Sequence, residues 1–558
     1  MRLPFLPCVP AAFVLSTAVL CLTGLHAQTT ADALRYSEVF PLGTARSLGT
    51  ANSMSALGAD WSAVAANPAG LAAFRRNEFT ITAAGIYSGS DSPQFGVFTG
   101  PSGDQDYTGG PSAGADSDFR FAVPQVALVL TRKPIGSRWT QFNFGVGVSQ
   151  SNRFEDQFGF EGPTAGSITD LWLDEANGYA LDDRGRRAFD VQVEGQPADF
   201  FFNPFPVGGL PAFGAGLAFG AGVLIPGDNT ENPPFYNTDY DLARTDVFRP
   251  GAPLLKRGVV SRTGRNAAID LSFGANYDEK LMLGATLGLS RLRYESALNY
   301  QEIDSDDAVP LFERLDFNEF STITGTGIQV RLGAIYRLSQ ALRLGLAYHS
   351  PSFISIEDDL DVNLRYPFIN NEGTRIDQIV RPTDADGNEI DGTIEYDFRS
   401  PSQYKASVAG LLGKRGFVSG EVTYLNFGGA TFGASNEGTA EDEAAFDAIN
   451  DGISQQLRSA VQLRIGGEVN LSPVKLRAGF QYIGAPIEDE DAALGLNAGI
   501  GFRQNRLGLD LGYQTLIRPD RSYVPYAPGP TNFPLPEVSY TPVSHTFALT
   551  LGWKLVSL

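Results

Sequence analysis

Eight consecutive residues read Leu507-Gly508-Leu509-Asp510-Leu511-Gly512-Tyr513-Gln514, and they alternate bulky apolar side chains with small or polar ones. Successive side chains of a β-strand point to opposite faces, so this period of two predicts a strand with one apolar and one polar face. Equivalent stretches begin at Phe142, Ile328, Leu342, Val474 and Phe547. The chain is therefore predicted to be all-β.

The polar faces of these strands distinguish a membrane protein from a water-soluble β-sandwich. They mix charged and amide side chains with glycine, whereas the inner faces of a soluble sandwich form a dry core. Several strands end in an aromatic residue, among them Tyr336, Tyr348, Tyr482 and Tyr513. This pattern is typical of a transmembrane antiparallel β-barrel, whose strands close into a ring because lipid cannot satisfy unpaired backbone groups.

Fourteen strands are predicted, and their connections alternate between tight and long. The candidates run 78–89, 121–132, 139–153, 255–276, 281–301, 316–337, 342–364, 391–412, 417–433, 455–470, 474–484, 492–503, 507–519 and 543–555. Every second connection is tight, which predicts short periplasmic turns, and the others, of which 154–254 is the longest, predict external loops. With a periplasmic amino terminus, both termini lie in the periplasm and the barrel lies in the outer membrane of a Gram-negative cell.

The composition of the 558 residues narrows the classes of function. Both cysteines, Cys8 and Cys21, lie in residues 1–27, which have the features of a signal peptide. A mature chain without them has no disulfide, thiolate metal site or cysteine nucleophile. Acidic residues outnumber basic ones by 63 to 42, for a net charge of −21, which disfavours nucleic acid as a partner. We expect no cofactor and no metal.

Acidic clusters at 302–307, 357–361 and 488–491 are interpreted as solvated loops. Divalent cations that bridge them to lipopolysaccharide are the alternative. The other expected partners are outer-membrane lipid and the barrel-assembly machinery, and the barrel is expected to be a monomer.

Residues 28–77 break the strand pattern and precede the barrel of residues 78–558. They are rich in small side chains and predict short helices and turns, with a turn signal at Asn67, Pro68, Ala69 and Gly70. A compact segment in this position can fold back into the lumen and block it. We therefore predict an amino-terminal hatch.

The hatch residues carry a resemblance to a known family. The Leu48-Gly49 stretch, Ala59-Asp60 and Asn67-Pro68-Ala69-Gly70-Leu71 resemble the hatch of FadL-type long-chain fatty-acid transporters, particularly their Bacteroidetes-like branch. The resemblance implies a fourteen-stranded barrel with a hatch and passive uptake of hydrophobic compounds. It also implies sideways exit through a kink in the third strand, here at Ser149, Gln150, Ser151 and Asn152. The alternative is that the strand ends there and becomes a loop.

The longest predicted loop offers a candidate surface for capturing a hydrophobic ligand. It contains Phe200, Phe201, Phe202 and Phe205, together with Leu171 and Trp172. Packing of these side chains within the loop is the alternative. Residues 208–225 could form a further strand or a helix.

Two rival classes of function compete with transport. An enzyme would need a serine nucleophile beside a histidine, but His349 and Ser350 are adjacent on a strand and point to opposite faces. We therefore expect no catalytic residues. A structural or adhesive surface barrel is the second rival, but it would need no hatch.

Overall fold

Fourteen antiparallel strands form a closed ring in this computed structural model, which describes residues 29–99, 104–106, 117–177, 213–226, 236–243, 252–370, 372–382, 389, 392–435, 439–488, 490–526 and 535–555. The strands are β1 Glu78–Thr99, β2 Ser117–Arg132, β3 Trp139–Thr164, β4 Leu254–Tyr277, β5 Leu281–Ile303, β6 Arg314–Arg337, β7 Leu342–His349 continued by Phe353–Arg365, β8 Thr393–Arg399 continued by Gln403–Leu411, β9 Gly416–Asn426, β10 Ser459–Leu471, β11 Val474–Ile483, β12 Ala493–Gln504, β13 Leu507–Ile517 and β14 Leu535–Lys554. Each strand pairs with the next, and β14 closes the ring on β1 with Lys554 opposite Glu78. The predicted number of strands and the barrel fold are confirmed.

The barrel turns its apolar side chains outward, which is the reverse of a soluble protein. On β14, Phe547, Leu549 and Leu551 are exposed, whereas Ala548 and Thr550 between them are buried and face the lumen. Outward apolar faces are stable only against lipid, because each exposed apolar Å² costs roughly 25 cal/mol in water. The chain therefore has an outer-membrane-type β-barrel.

The two ends of the barrel differ in their connections. Six connections of two to six residues lie at one end, between β2 and β3, β4 and β5, β6 and β7, β8 and β9, β10 and β11, and β12 and β13. We call it the turn end, and the opposite end the loop end. The longest connection runs from 165 to 253, not from 154, because β3 continues to Thr164.

The helices lie in the amino-terminal part of the chain and in the connections between strands. They are α1 Thr30–Ser37, α2 Ala45–Leu48, α3 Trp61–Ala66, α4 Ile168–Asn177, α5 Phe213–Gly220, α6 Asp239–Leu242 and α7 Ala440–Gln456. The segment 208–225 thus contributes α5 and a two-residue strand, Ile225–Pro226, which pairs with Tyr236–Asn237 rather than with the barrel.

Among the described residues, none of the helices is both long enough and apolar enough to cross a membrane.

An apolar core closes much of the loop end. Helices α4 and α5 pack there against the upper parts of β3 to β7 and against β14, around Phe158, Trp172, Tyr300, Phe317 and Tyr540. A second apolar cluster joins α1 and α7 to β7 and β8 through Tyr36, Tyr396, Phe398 and Phe446.

Candidate functional site

Residues 44–73 lie in the lumen toward the turn end and contact seven or more strands. Asp60 accepts a hydrogen bond from the backbone N–H of Ser62 and caps α3. The side chain of Asn67 caps the following 3₁₀ helix, Pro68–Ala73, by accepting from Ala69 N at 3.1 Å, and it donates to the Ala334 carbonyl of β6 at 3.4 Å. Asn67, Pro68 and Ala69 of the predicted hatch motif lie against the barrel wall, whereas Gly70 packs on Gly58 of the same segment.

Lumen-facing glycines let this segment approach the strands. A Cβ atom at Gly479 of β11 would lie 2.6 Å from Ala51 N, and one at Gly274 of β4 would lie 2.8 Å from Ala72 N. At Gly284 of β5 and Gly333 of β6 it would overlap Pro68 and Asn67. Side chains larger than glycine would thus displace the segment, which explains the glycines on the polar faces.

Buried charged side chains attach the same segment to the wall. Arg46 pairs with Glu468 of β10 at 3.1 Å. Arg331 of β6, itself paired with Asp270 of β4, donates to the Ala65 carbonyl at 3.0 Å. His349 Nε2 lies 2.9 Å from the Ala66 carbonyl, so this histidine contacts the segment and not Ser350.

The ladder between β2 and β3 stops halfway along both strands. Only Gln125–Arg132 of β2 pair with Phe142–Ser149 of β3. Beyond that point β2 stays paired with β1 up to Ser117, and β3 stays paired with β4 up to Thr164. The third strand therefore does not end at residue 149, and the alternative that it becomes a loop there is wrong.

Proline and two irregularities of register mark the place where the ladder stops. Pro124 precedes Gln125 and has no N–H to donate, and the β1–β2 register shifts beside it. The β3–β4 register shifts between Gln150 and Asn152, and Gln150, which still pairs with Ala267 of β4, also bridges to Leu42. The role of Pro124 was not predicted from the sequence, although a proline inside a predicted strand indicates an interrupted ladder.

The upper part of β3 leans into the lumen. The Phe158 ring stacks on Tyr540 of β14 with centroids 4.1 Å apart, and Tyr540 donates to Asp156 at 2.6 Å. Because β1 and β2 lie between β3 and β14 in the ring, these contacts require β3 to leave the circumference. The four residues predicted for the lateral gap, Ser149, Gln150, Ser151 and Asn152, lie where it does so.

A cavity lies between the amino-terminal segment and the wall, with about 1060 Å³ of empty space if the part open to solvent is included. Gln125, Ser149, Gln150 and Ser151 line it at the point where β2 and β3 separate. Most of its other lining is also polar, and includes Arg331, His349, Gln403, Lys405 and Arg464. The cavity thus meets the wall of the barrel where the ladder is broken.

Lys405 of β8 is the unbalanced charge of this cavity. It is 8% exposed, and within the described part of the chain its ammonium makes no hydrogen bond or ion pair. The acid near it, Glu421, is held by Arg464 at 3.1 Å and by the Ser55 hydroxyl. A buried cation without a partner is costly, so the site favours an anionic group beside Lys405.

Two further cavities continue toward the loop end. One has about 1820 Å³ of empty space and the other about 630 Å³, and both are lined by Phe40, Arg153, Glu155, Asp156 and Arg518. The smaller one shares Leu42 with the cavity beside Lys405. Neighbouring spaces therefore extend from the loop end to the break between β2 and β3.

The candidate capture loop is only partly described. Trp172 is 2% exposed and Leu171 packs against the same apolar core, so neither forms an open surface. Phe200, Phe201, Phe202 and Phe205 lie outside the described residues.

Glu302 anchors this loop, although its sequence context predicts a solvated acid. It is fully buried and accepts from Tyr300 at 2.7 Å, from the Ser167 hydroxyl at 2.5 Å and from Ile168 N at 2.9 Å. Its carboxylate thereby sits at the first turn of α4, where the helix dipole favours a negative charge. The interpretation of Glu302 as a solvated residue is wrong.

Within the described ranges, no three His, Cys, Asp or Glu residues are grouped closely enough to hold a metal ion.

Solved structures similar to this chain include a FadL homologue. No protein-family model matches the sequence, and no curated protein matches it. A FadL homologue from Pseudomonas aeruginosa has 12% sequence identity and a TM-score of 0.50 over 92% of this chain and 99% of that chain. The toluene transporter TbuX from Ralstonia pickettii has 13% identity and a TM-score of 0.39, over 91% of this chain and 98% of that chain. Fourteen strands in one closed ring, matched over nearly the whole length of the first of these structures, give this chain the FadL-type fold.

Proposed function

We propose that this barrel takes up amphipathic compounds with an apolar tail and an anionic head, such as long-chain fatty acids, and releases them sideways into the membrane. The single observation that carries the proposal is the contact between the cavity beside Lys405 and the broken β2–β3 ladder. The similar structures include a FadL homologue and a toluene transporter, which supports a hydrophobic cargo in general.

The direct route through the barrel is closed by the amino-terminal segment, which acts as a hatch in this proposal. Its backbone packs on strand glycines, and its ion pairs are buried. A ligand that reaches the cavity beside Lys405 has a shorter path outward, beyond the last ladder pair of β2 and β3, Gln125 and Ser149. The apolar tail leaves toward lipid because the hydrophobic effect favours its transfer from a polar lumen.

The polar lining supports an amphiphile over a pure hydrocarbon. A toluene-like ligand would bury Lys405 and Gln403 without giving them any hydrogen bond. A carboxylate would instead neutralise Lys405. The loop aromatics Phe200, Phe201, Phe202 and Phe205 are proposed as the first contact for the tail.

Replacing Lys405 tests the choice of head group. Lys405→Gln should weaken binding of oleate by about tenfold or more, since hydrogen bonds to charged groups contribute about 1.5–3 kcal/mol. Binding of oleyl alcohol should be unchanged, and Lys405→Arg should restore oleate binding. Lys414→Gln, which makes the same change at an exposed turn, is the control. Equal effects on the acid and the alcohol would contradict the head-group assignment.

Extending the β2–β3 ladder tests the exit. Pro124→Val combined with deletion of Ser151 restores a backbone donor and removes the extra residue of β3, so oleate uptake by cells should fall while binding persists. Deletion of residues 28–77 should instead raise single-channel conductance. If neither uptake nor conductance changes in that deletion, the hatch assignment is wrong.

A further inference from the structure

The turn end carries a ring of exposed, uncompensated positive charge. Six exposed cations lie on four of its turns: Arg132, Lys133, Lys280, Lys414, Arg415 and Arg506. In the described part of the chain, none of these six side chains makes a hydrogen bond or an ion pair. We call this set the basic ring.

The acids of the turn end are already occupied by other cations. Asp278 pairs with Arg138 at 3.3 Å, and Glu279 pairs with both Arg75 and Arg337. The basic ring therefore keeps its full charge, although the chain as a whole has a net charge of −21. Six exposed cations without an ion pair among the described residues thus lie together at one end of an acidic protein.

The basic ring lies at the level of lipid headgroups. Outward-facing Trp553 of β14 and Tyr336 of β6 are 55% and 47% exposed and mark the interface, where tryptophan and tyrosine concentrate. Arg506 immediately precedes Leu507, the residue opposite Trp553, and Lys280 follows Tyr277 by three residues. At about 3.3 Å per residue, these cations lie within roughly 10 Å of the aromatic belt.

We propose that the basic ring binds the anionic headgroups of phospholipids in the leaflet at the turn end. Charge complementarity carries this assignment, together with the continuity between the basic ring and the lipid-facing apolar band. Basic clusters beside a membrane span attract anionic lipid, and the attraction is screened by salt. The proposal depends on the barrel lying in a membrane but not on the identity of its cargo.

Quenching of tryptophan fluorescence by brominated lipid tests the proposal, because two tryptophans lie at the same end of the barrel as the basic ring. Of its four tryptophans, Trp61 and Trp172 are buried, whereas Trp139 and Trp553 lie at the turn end. In bilayers that mix brominated phosphatidylglycerol with phosphatidylcholine, we expect quenching at least threefold above that given by brominated phosphatidylcholine at the same fraction. The excess should disappear at high salt.

Neutralising the basic ring should remove the excess quenching. The variant R132Q/K133Q/K280Q/K414Q/R415Q/R506Q is expected to show equal quenching by both lipids. The matched control, R265Q/R291Q, removes exposed arginines nearer the loop end and should behave as the unchanged protein. The turn pair K414Q/R415Q should lower the excess partly even if the six-site variant fails to fold.

Two results would overturn the assignment. The first is equal quenching by both lipids in the unchanged protein, which would favour an acidic protein as the partner of the basic ring. The second is a full preference for phosphatidylglycerol in the folded six-site variant.

Discussion

The two halves of the barrel interior are filled by different kinds of contact. Toward the turn end, residues 44–73 pack by backbone on strand glycines and are held by ion pairs such as Arg46–Glu468. Toward the loop end, apolar side chains around Phe158 and Trp172 form a core resembling that of a soluble domain. The cavity beside Lys405 lies between these two packed regions.

The difference shows two ways in which one chain occupies the lumen of its barrel. In the turn half, the groups that occupy the polar lumen must satisfy its buried donors and acceptors. The packing of this half therefore depends on a close fit between the amino-terminal segment and the strands. The loop half excludes water by burying apolar area, and it can lose stability without opening the barrel wall. We therefore expect substitutions in the two halves to have separable effects.

The largest effect is expected at Trp172 in the loop half. Trp172→Ala should destabilise the loop-end core by about 3–5 kcal/mol, because it removes a buried aromatic side chain that contacts Phe317. Limited proteolysis should cut the β3–β4 connection faster, while the heat-modified gel shift of the barrel stays unchanged. Leu311→Ala, at a 72% exposed position, is the control. Simultaneous loss of the gel shift would show that the halves are not separable.

A smaller effect, in the turn half, is expected at Gly284. Gly284→Val should strain the contact with Pro68 by about 1–3 kcal/mol and displace the amino-terminal segment. Single-channel recordings should then show a higher conductance. Gly410→Val is the matched control, since the nearest atom to a Cβ there is 3.9 Å away. An unchanged conductance in Gly284→Val would mean that the segment does not seal the lumen.

Replacing Asn67, which caps the 3₁₀ helix, tests whether hydrogen bonds or packing hold the amino-terminal segment in place. Asn67→Ala removes the acceptor of Ala69 N and the donor to Ala334 O, so we expect a loss of about 1 kcal/mol. Hydrogen exchange of the Ala69 amide should accelerate accordingly. Asn426→Ala, before a 3₁₀ helix that its side chain does not cap, should change exchange far less. Equal exchange rates of the Ala69 amide in both variants would mean that packing alone stabilises the amino-terminal segment.

The smallest effect is a pH dependence at the rim of the turn half. Hydrogen bonds from Arg75 lower the pKa of Glu279 from its ordinary value of 4.5 to about 2. The pairing therefore stabilises the folded protein above pH 4.5, and this contribution is lost as the pH falls toward 2. For so exposed a pair we expect about 0.5 kcal/mol. Denaturant titrations between these pH values should show it, and Glu279→Gln should abolish that part of the pH dependence.

The strands could be predicted from the sequence because their signal is local. The period of two and the tight connections recur along the chain. The number of strands and the barrel fold could therefore be predicted from residues that are close together in the sequence. The upper parts of β1, β3 and β14 were missed, because these strands continue past the predicted apolar band. The upper parts of β3 and β14 contribute to the apolar core at the loop end instead of facing lipid.

The sequence by itself determined which residues face lipid, which face the lumen, and where the amino-terminal segment departs from the strand pattern. Only the tertiary structure decided that β3 leaves β2 beyond Ser149, that Glu302 anchors α4, and that Lys405 is buried with no ion-pair partner among the described residues. Side-chain alternation follows from backbone geometry, which each strand carries alone. The other features depend on how separate segments meet once the ring has closed, as where Ile168 donates to Glu302.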